Sequence, residues 1–85
     1  MQKISVNNLT LAYKRFGKGK PLILIHGFPL THTCWNGVAS LLAVEFDIIM
    51  PDLRGFGQSS SVDGPYTVTD MADDLAGLMD ALEIE

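Results

Sequence analysis

Two short runs hold the residues of this chain that are best placed to do chemistry: His26-Gly27-Phe28-Pro29 and Pro51-Asp52-Leu53-Arg54-Gly55-Phe56-Gly57-Gln58-Ser59. The first follows the apolar run Leu22 to Ile25 and precedes a helical pattern. A glycine there lets the backbone turn and aim an N–H outward instead of into a ladder, and an N–H aimed outward can bind an oxyanion. The second run follows another apolar stretch. It places an acid, a base and two glycines at the carboxyl edge of a sheet, where ligands bind in open α/β folds.

Both runs need strands and helices behind them. Ile4, Val6, Leu9, Leu11 and Tyr13 alternate with polar residues on either side of Asn7-Asn8, a dipeptide that tolerates positive φ, so an opening β-hairpin is expected. Phe16 to Pro21, with two glycines and lysines that stay in water, reads as a loop. Leu22 to Ile25 is unbroken and apolar, as in a strand of a parallel sheet buried on both faces.

Trp35, Val38, Ala39 and Leu42 fall at i, i+3, i+4 and i+7, which lays one stripe of a helix starting near residues 31–33 on that sheet. For Trp35, core packing competes with a role as pocket wall. Phe46, Ile48, Ile49 and Met50 form a second strand, stopped by Pro51. Thr67 and Asp70 make a capping-box pair opening a last helix, in which Val68, Met71, Ala72, Leu75, Leu78, Met79 and Leu82 keep helical spacing. The sum is an α/β layered fold, a hairpin followed by parallel β-α-β-α, in one partial domain over residues 1–85.

With both motifs at the ends of the right strands, the tract from Leu11 through Leu82 resembles the α/β-hydrolase family, with its His-Gly-x-Pro and Asp-x-Arg-Gly-x-Gly-x-Ser motifs, in particular the esterase, lactonase, epoxide-hydrolase and dehalogenase-like members. The resemblance implies that the backbone N–H of Phe28 is one of two oxyanion-hole donors. It implies that His26 holds its loop and is not a base, that Gly27 belongs to the same turn, and that Asp52 and Arg54 organise the second loop. Phe28 stands at the motif's variable position where a polar residue could capture halide, which favours ester or lactone hydrolysis over dehalogenation.

The family's nucleophile elbow, Gly-x-Ser-x-Gly after the fifth strand, and the acid and histidine that follow it have no counterpart here. Gly57-Gln58-Ser59-Ser60-Ser61 lacks the closing glycine and follows the wrong strand. A triad of Ser59 with His32 is the alternative, since triads are defined by geometry and not by chain order, although serine-rich loops are ordinarily just loops. The chain alone is therefore expected to be inactive.

No cofactor is expected. Ser60 occupies the third-glycine position of a dinucleotide fingerprint, and no cluster has zinc-ligand or calcium-loop spacing. A net charge of −4 argues against nucleic acid as partner. Residues 1–44 carry five of the six basic groups and no acid, while residues 45–85 carry all ten acids, a division that reads best as solvated surface. The single cysteine, Cys34, and the lack of a signal-like or membrane-spanning run fit a cytoplasmic protein.

Ending before the nucleophile strand would turn the Leu22–Ile25 strand from a central strand into an edge. Such an edge is expected to be covered by a second copy of the chain or by the missing carboxyl-terminal part of the enzyme. The reading of a noncatalytic folding or assembly unit stands beside that of a hydrolase fragment.

Overall fold

The computed structural model describes residues 1–27, 30–61 and 66–84. Its elements in chain order are β1 (Gln2–Val6), β2 (Leu9–Gly17), β3 (Lys20–Ile23), a 3₁₀ turn (His32–Trp35), α1 (Asn36–Leu42), β4 (Phe46–Pro51) and α2 (Val68–Ala81). The four strands form one mixed sheet in the order β1-β2-β4-β3. The β1-β2 hairpin turns through Asn7 and Asn8, both at positive φ (51° and 66°), the conformation a two-residue type I′ turn demands.

Three boundaries differ from the sequence expectation. Phe16 to Pro21 is not wholly a loop, because β2 runs on to Gly17 and pairs antiparallel with β4 from Tyr13↔Pro51 to Gly17↔Asp47. Strand β3 starts at Lys20 and ends at Ile23, with Leu24 N–H donating to Ile49 O at 2.9 Å. In a strand, N–H groups three residues apart point to opposite sides, so Pro21, which has none, faces the open edge and costs the sheet no bond. Because β3 lies at that edge it is not buried on both faces: Leu24 is buried, Leu22 and Ile23 are half-buried, and Ile25 is 47% exposed. Pro51 does not stop β4 but closes it, and Asp52 N–H resumes the pairing by donating to Ala12 O at 2.9 Å.

The period of two divides the apolar side chains between the faces of the sheet. On one face Val6, Leu11, Tyr13 and Ile49 pack with Leu78 of α2, and Ile4, Ile23, Leu82 and Ile84 surround them. On the other, Leu24, Ile48 and Met50 pack with Ala39 of α1, ringed by Phe16, Leu22, Trp35, Leu42, Ala43 and Phe46. The expected stripe of α1 is thus Trp35, Ala39 and Leu42, while Val38 turns outward, as does Val68 at the start of α2. The capping box of α2 is formed in both directions: Thr67 Oγ1 accepts from Asp70 N–H at 3.1 Å, and Asp70 Oδ2 accepts from Thr67 N–H at 2.8 Å. Among the described residues no helix is long and apolar enough to cross a membrane.

Helix α2 comes close to β1 at Gly77, where an added Cβ would lie 2.6 Å from Val6 Cγ1. Alanine there gains about 1 kcal/mol of helix propensity but must displace Val6, which costs about 1–3 kcal/mol as overpacking. Urea denaturation of Gly77→Ala should therefore show a net loss. On a Val6→Ala background the clash is gone, and the same substitution should become stabilising. A Gly77→Ala that stabilises the unmodified chain would contradict the close packing of α2 on the hairpin.

Candidate active-site loops

The connections that leave β3 and β4 do so at the same end of a parallel pair, and one carboxylate joins them. Asp52 follows directly on β4 and is fully buried. Its Oδ1 accepts from the backbone N–H of His32 at 2.7 Å and from the His32 ring Nδ1 at 2.8 Å, and its Oδ2 accepts from Gln58 N–H at 3.0 Å. Burial alone would raise the Asp52 carboxyl above its ordinary value of 3.8. The bonds from Gln58 N–H, His32 N–H and the His32 ring outweigh it and hold the group below that value. Gly57, at φ +53°, makes room for the carboxylate, since a Cβ there would collide with Asp52 Oδ2.

The neighbouring residue ties the loops a second time. Leu53 N–H donates to His26 Nε2 at 2.9 Å, which leaves the proton of this imidazole on Nδ1, facing Gly27 O at 3.0 Å. The His26 ring also meets Phe56 edge-on, with centroids 5.5 Å apart. Gly27 has no positive φ and open space where a side chain would stand, and its carbonyl accepts from Leu30 N–H at 2.7 Å. Phe28, whose N–H is the expected oxyanion donor, lies outside the described residues. Trp35 is half-buried in the apolar cluster beneath α1, its indole N–H enclosed without an acceptor among the described residues.

Arg54 is not bound to Asp52. Its guanidinium grips Asp74 of α2 with two bonds, Nε to Oδ2 at 2.6 Å and a terminal N–H to Oδ1 at 2.7 Å, while Asn7 of the hairpin turn donates to Asp73 O at 3.2 Å and approaches Asp74 Oδ1 at 3.4 Å. This bidentate pair locks the second loop to the helix that backs it. Asp74 escaped the sequence reading, although an acid three residues after Met71 and four before Leu78, on the apolar stripe, signals a buried partner. Arg15 and Asp47 make the one Lys or Arg ion pair among the described residues between the basic and acidic halves, at 2.7 Å on the surface.

The Ser59–His32 triad is not formed. Ser59 Oγ donates to Asp52 O at 2.6 Å and accepts from Ala12 N–H at 2.9 Å, so its proton is committed to the backbone and the residue stitches the loop to β2. Ser60 extends the seam, its N–H donating to Thr10 O at 2.8 Å and its Oγ accepting from Thr10 N–H at 2.9 Å. No group of three or more His, Cys, Asp or Glu among the described residues is arranged to hold a metal ion.

Residues 20–85 match the family model described as the alpha/beta hydrolase fold. The chain belongs to the α/β-hydrolase fold family. It is similar to a thermophilic esterase from Thermogutta terrifontis, with a TM-score of 0.93 and 42% identity over 98% of this chain and 33% of that one. A soluble epoxide hydrolase of Corynebacterium sp. is 36% identical over 91% of this chain and 27% of its own length. A fluoroacetate dehalogenase of Burkholderia sp. is 38% identical over 96% of this chain and 29% of its own. The chain thus spans between a quarter and a third of the length of these α/β-hydrolases.

Removing the charge of Asp52 tests the junction. An amide keeps the shape but must turn its NH2 either to Gln58 N–H or to the two N–H groups of His32, so Asp52→Asn should cost about 2–4 kcal/mol at neutral pH. Because the folded-state carboxyl lies below its unfolded value, its stabilisation is complete above that value and is lost as pH falls below 3.8. Urea melts at pH 7 and pH 3 should therefore show the difference between wild type and variant shrinking in acid. A constant difference would refute the depressed carboxyl.

Proposed function

We propose that this chain is the amino-terminal portion of an α/β-hydrolase acting on esters, lactones or related small substrates, to which it supplies one oxyanion donor, the backbone N–H of Phe28, but no catalytic triad. The observation that carries this reading is the joining of the two loops at the carboxyl ends of β3 and β4, by Leu53 N–H on His26 and by His32 on Asp52. A donor acts on a developing oxyanion only if it is held in place before the charge appears, and the bonds between the two loops at His26 and His32 support such a role for the connection between them. The named relatives are an esterase, a soluble epoxide hydrolase and a fluoroacetate dehalogenase. The phenyl ring at position 28 favours the ester and lactone end of that range. The single cysteine supports a cytoplasmic location.

A second reading rests on the sheet edge. Among the described residues no strand pairs with the outer side of β3, and Ile25 beyond it is exposed. Such an edge invites another polypeptide, either a second copy or the carboxyl-terminal part of the enzyme. Ile23 packs in the core, so the informative change is Ile25→Lys. Sedimentation of residues 1–85 should show an oligomer that this change breaks, and a concentration-independent monomer would count against the reading.

The hydrolase reading predicts turnover of p-nitrophenyl acetate by the intact protein that carries this sequence and none by residues 1–85 alone. Phe28→Ala keeps the N–H and should retain most of kcat. Phe28→Pro removes it and should lower kcat by about 100-fold to 1000-fold. Equal activity of the two variants would refute the donor.

A further inference from the structure

We propose that His32 is a positioning residue for the connection between β3 and α1, the connection that carries the proposed oxyanion donor. The inference rests on the hydrolase reading for its catalytic consequence, but on geometry for its physical content. The connection begins at His26 and ends at His32, and both ends are bound to consecutive residues of the other loop. At the start, His26 Nε2 accepts from Leu53 N–H at 2.9 Å. At the end, two N–H groups of His32, backbone and ring, converge on the single oxygen Asp52 Oδ1 at 2.7 and 2.8 Å. Between them Leu30 N–H donates to Gly27 O at 2.7 Å.

The backbone bond at the far end is open to any residue, but the ring bond needs a side-chain donor of the right reach. His32 is buried and Asp52 fully so, which shields this bond from competing water and makes the carboxylate depend on its donors. The imidazole therefore orients the exit of the connection, as the His26 ring orients its entry. Neither histidine has to transfer a proton to do so. A merely structural bond would change stability alone, whereas a positioning bond changes the rate at an otherwise intact site, because small misplacements of a catalytic group are costly.

The test uses the intact protein with His32→Leu, which fills the volume without a donor, and His32→Asn, whose Nδ2 stands close to where the ring Nδ1 stands. His32→Leu should lower kcat for p-nitrophenyl acetate by about 10-fold to 100-fold with KM changed less than about 3-fold. It should also speed deuterium uptake in peptides covering residues 24–33 while those covering 68–81 are unchanged. His32→Asn should restore both to within about 3-fold of wild type. Should His32→Leu fail to fold, His32→Gln, whose donor is one bond too long, replaces it with the same expectations. Unchanged uptake over 24–33 in the donor-less variant, or an asparagine variant no better than leucine, would overturn the proposal. If the wild-type protein turns over no ester, the hydrolase reading fails by itself and the uptake comparison alone decides whether His32 holds the connection.

Discussion

The carboxylate of Asp52, buried at the end of β4, has no solvent to stabilise its charge and is held ionised by N–H groups from two different loops. Burying a charge is costly unless hydrogen bonds replace the water it loses. Each donor is therefore drawn to a defined place, and the segments bearing those donors are placed with it. Gly57 is required because any side chain would occupy the space the carboxylate needs, and Ser59 is required because its hydroxyl takes the carbonyl of the same residue. The connection from β3 to α1, the Asp-x-Arg loop and strand β2 all meet at this one residue.

Around that junction, the sheet explains why the loops leave where they do. Parallel pairing of β3 with β4 brings their carboxyl ends together, and apolar side chains on both faces of the sheet require a helix on each. Helix α2 is tied down at the loop by the bidentate Arg54–Asp74 pair and at the hairpin by Gly77 and Asn7. The second loop is thus fixed between a helix behind and a carboxylate beneath.

What the sequence reveals follows from which interactions are local. The type I′ turn at Asn7-Asn8 and the capping box of Thr67 and Asp70 are read within a few residues, and the structure forms both. The extension of β2 to Gly17 and the early start of β3 depend on pairing with β4, some thirty residues away, and no local pattern announces them. Arg54 illustrates the same limit at the site: its type suggests a carboxylate partner, but the choice of Asp74 over the adjacent Asp52 is made by the packing of α2. His32 is similar, since only the folded chain brings it to Asp52.

The central claim is that Asp52 stays ionised within the fold because three N–H groups from two loops, those of the His32 backbone, the His32 ring and the Gln58 backbone, hold it so. Carbon-detected NMR titration of the assigned Asp52 carboxyl in the intact protein measures this directly. The account predicts a midpoint below the ordinary 3.8, with the amide signals of His32 and Gln58 moving at the same midpoint. A midpoint at or above 3.8, or amides of His32 and Gln58 indifferent to the titration, would contradict it.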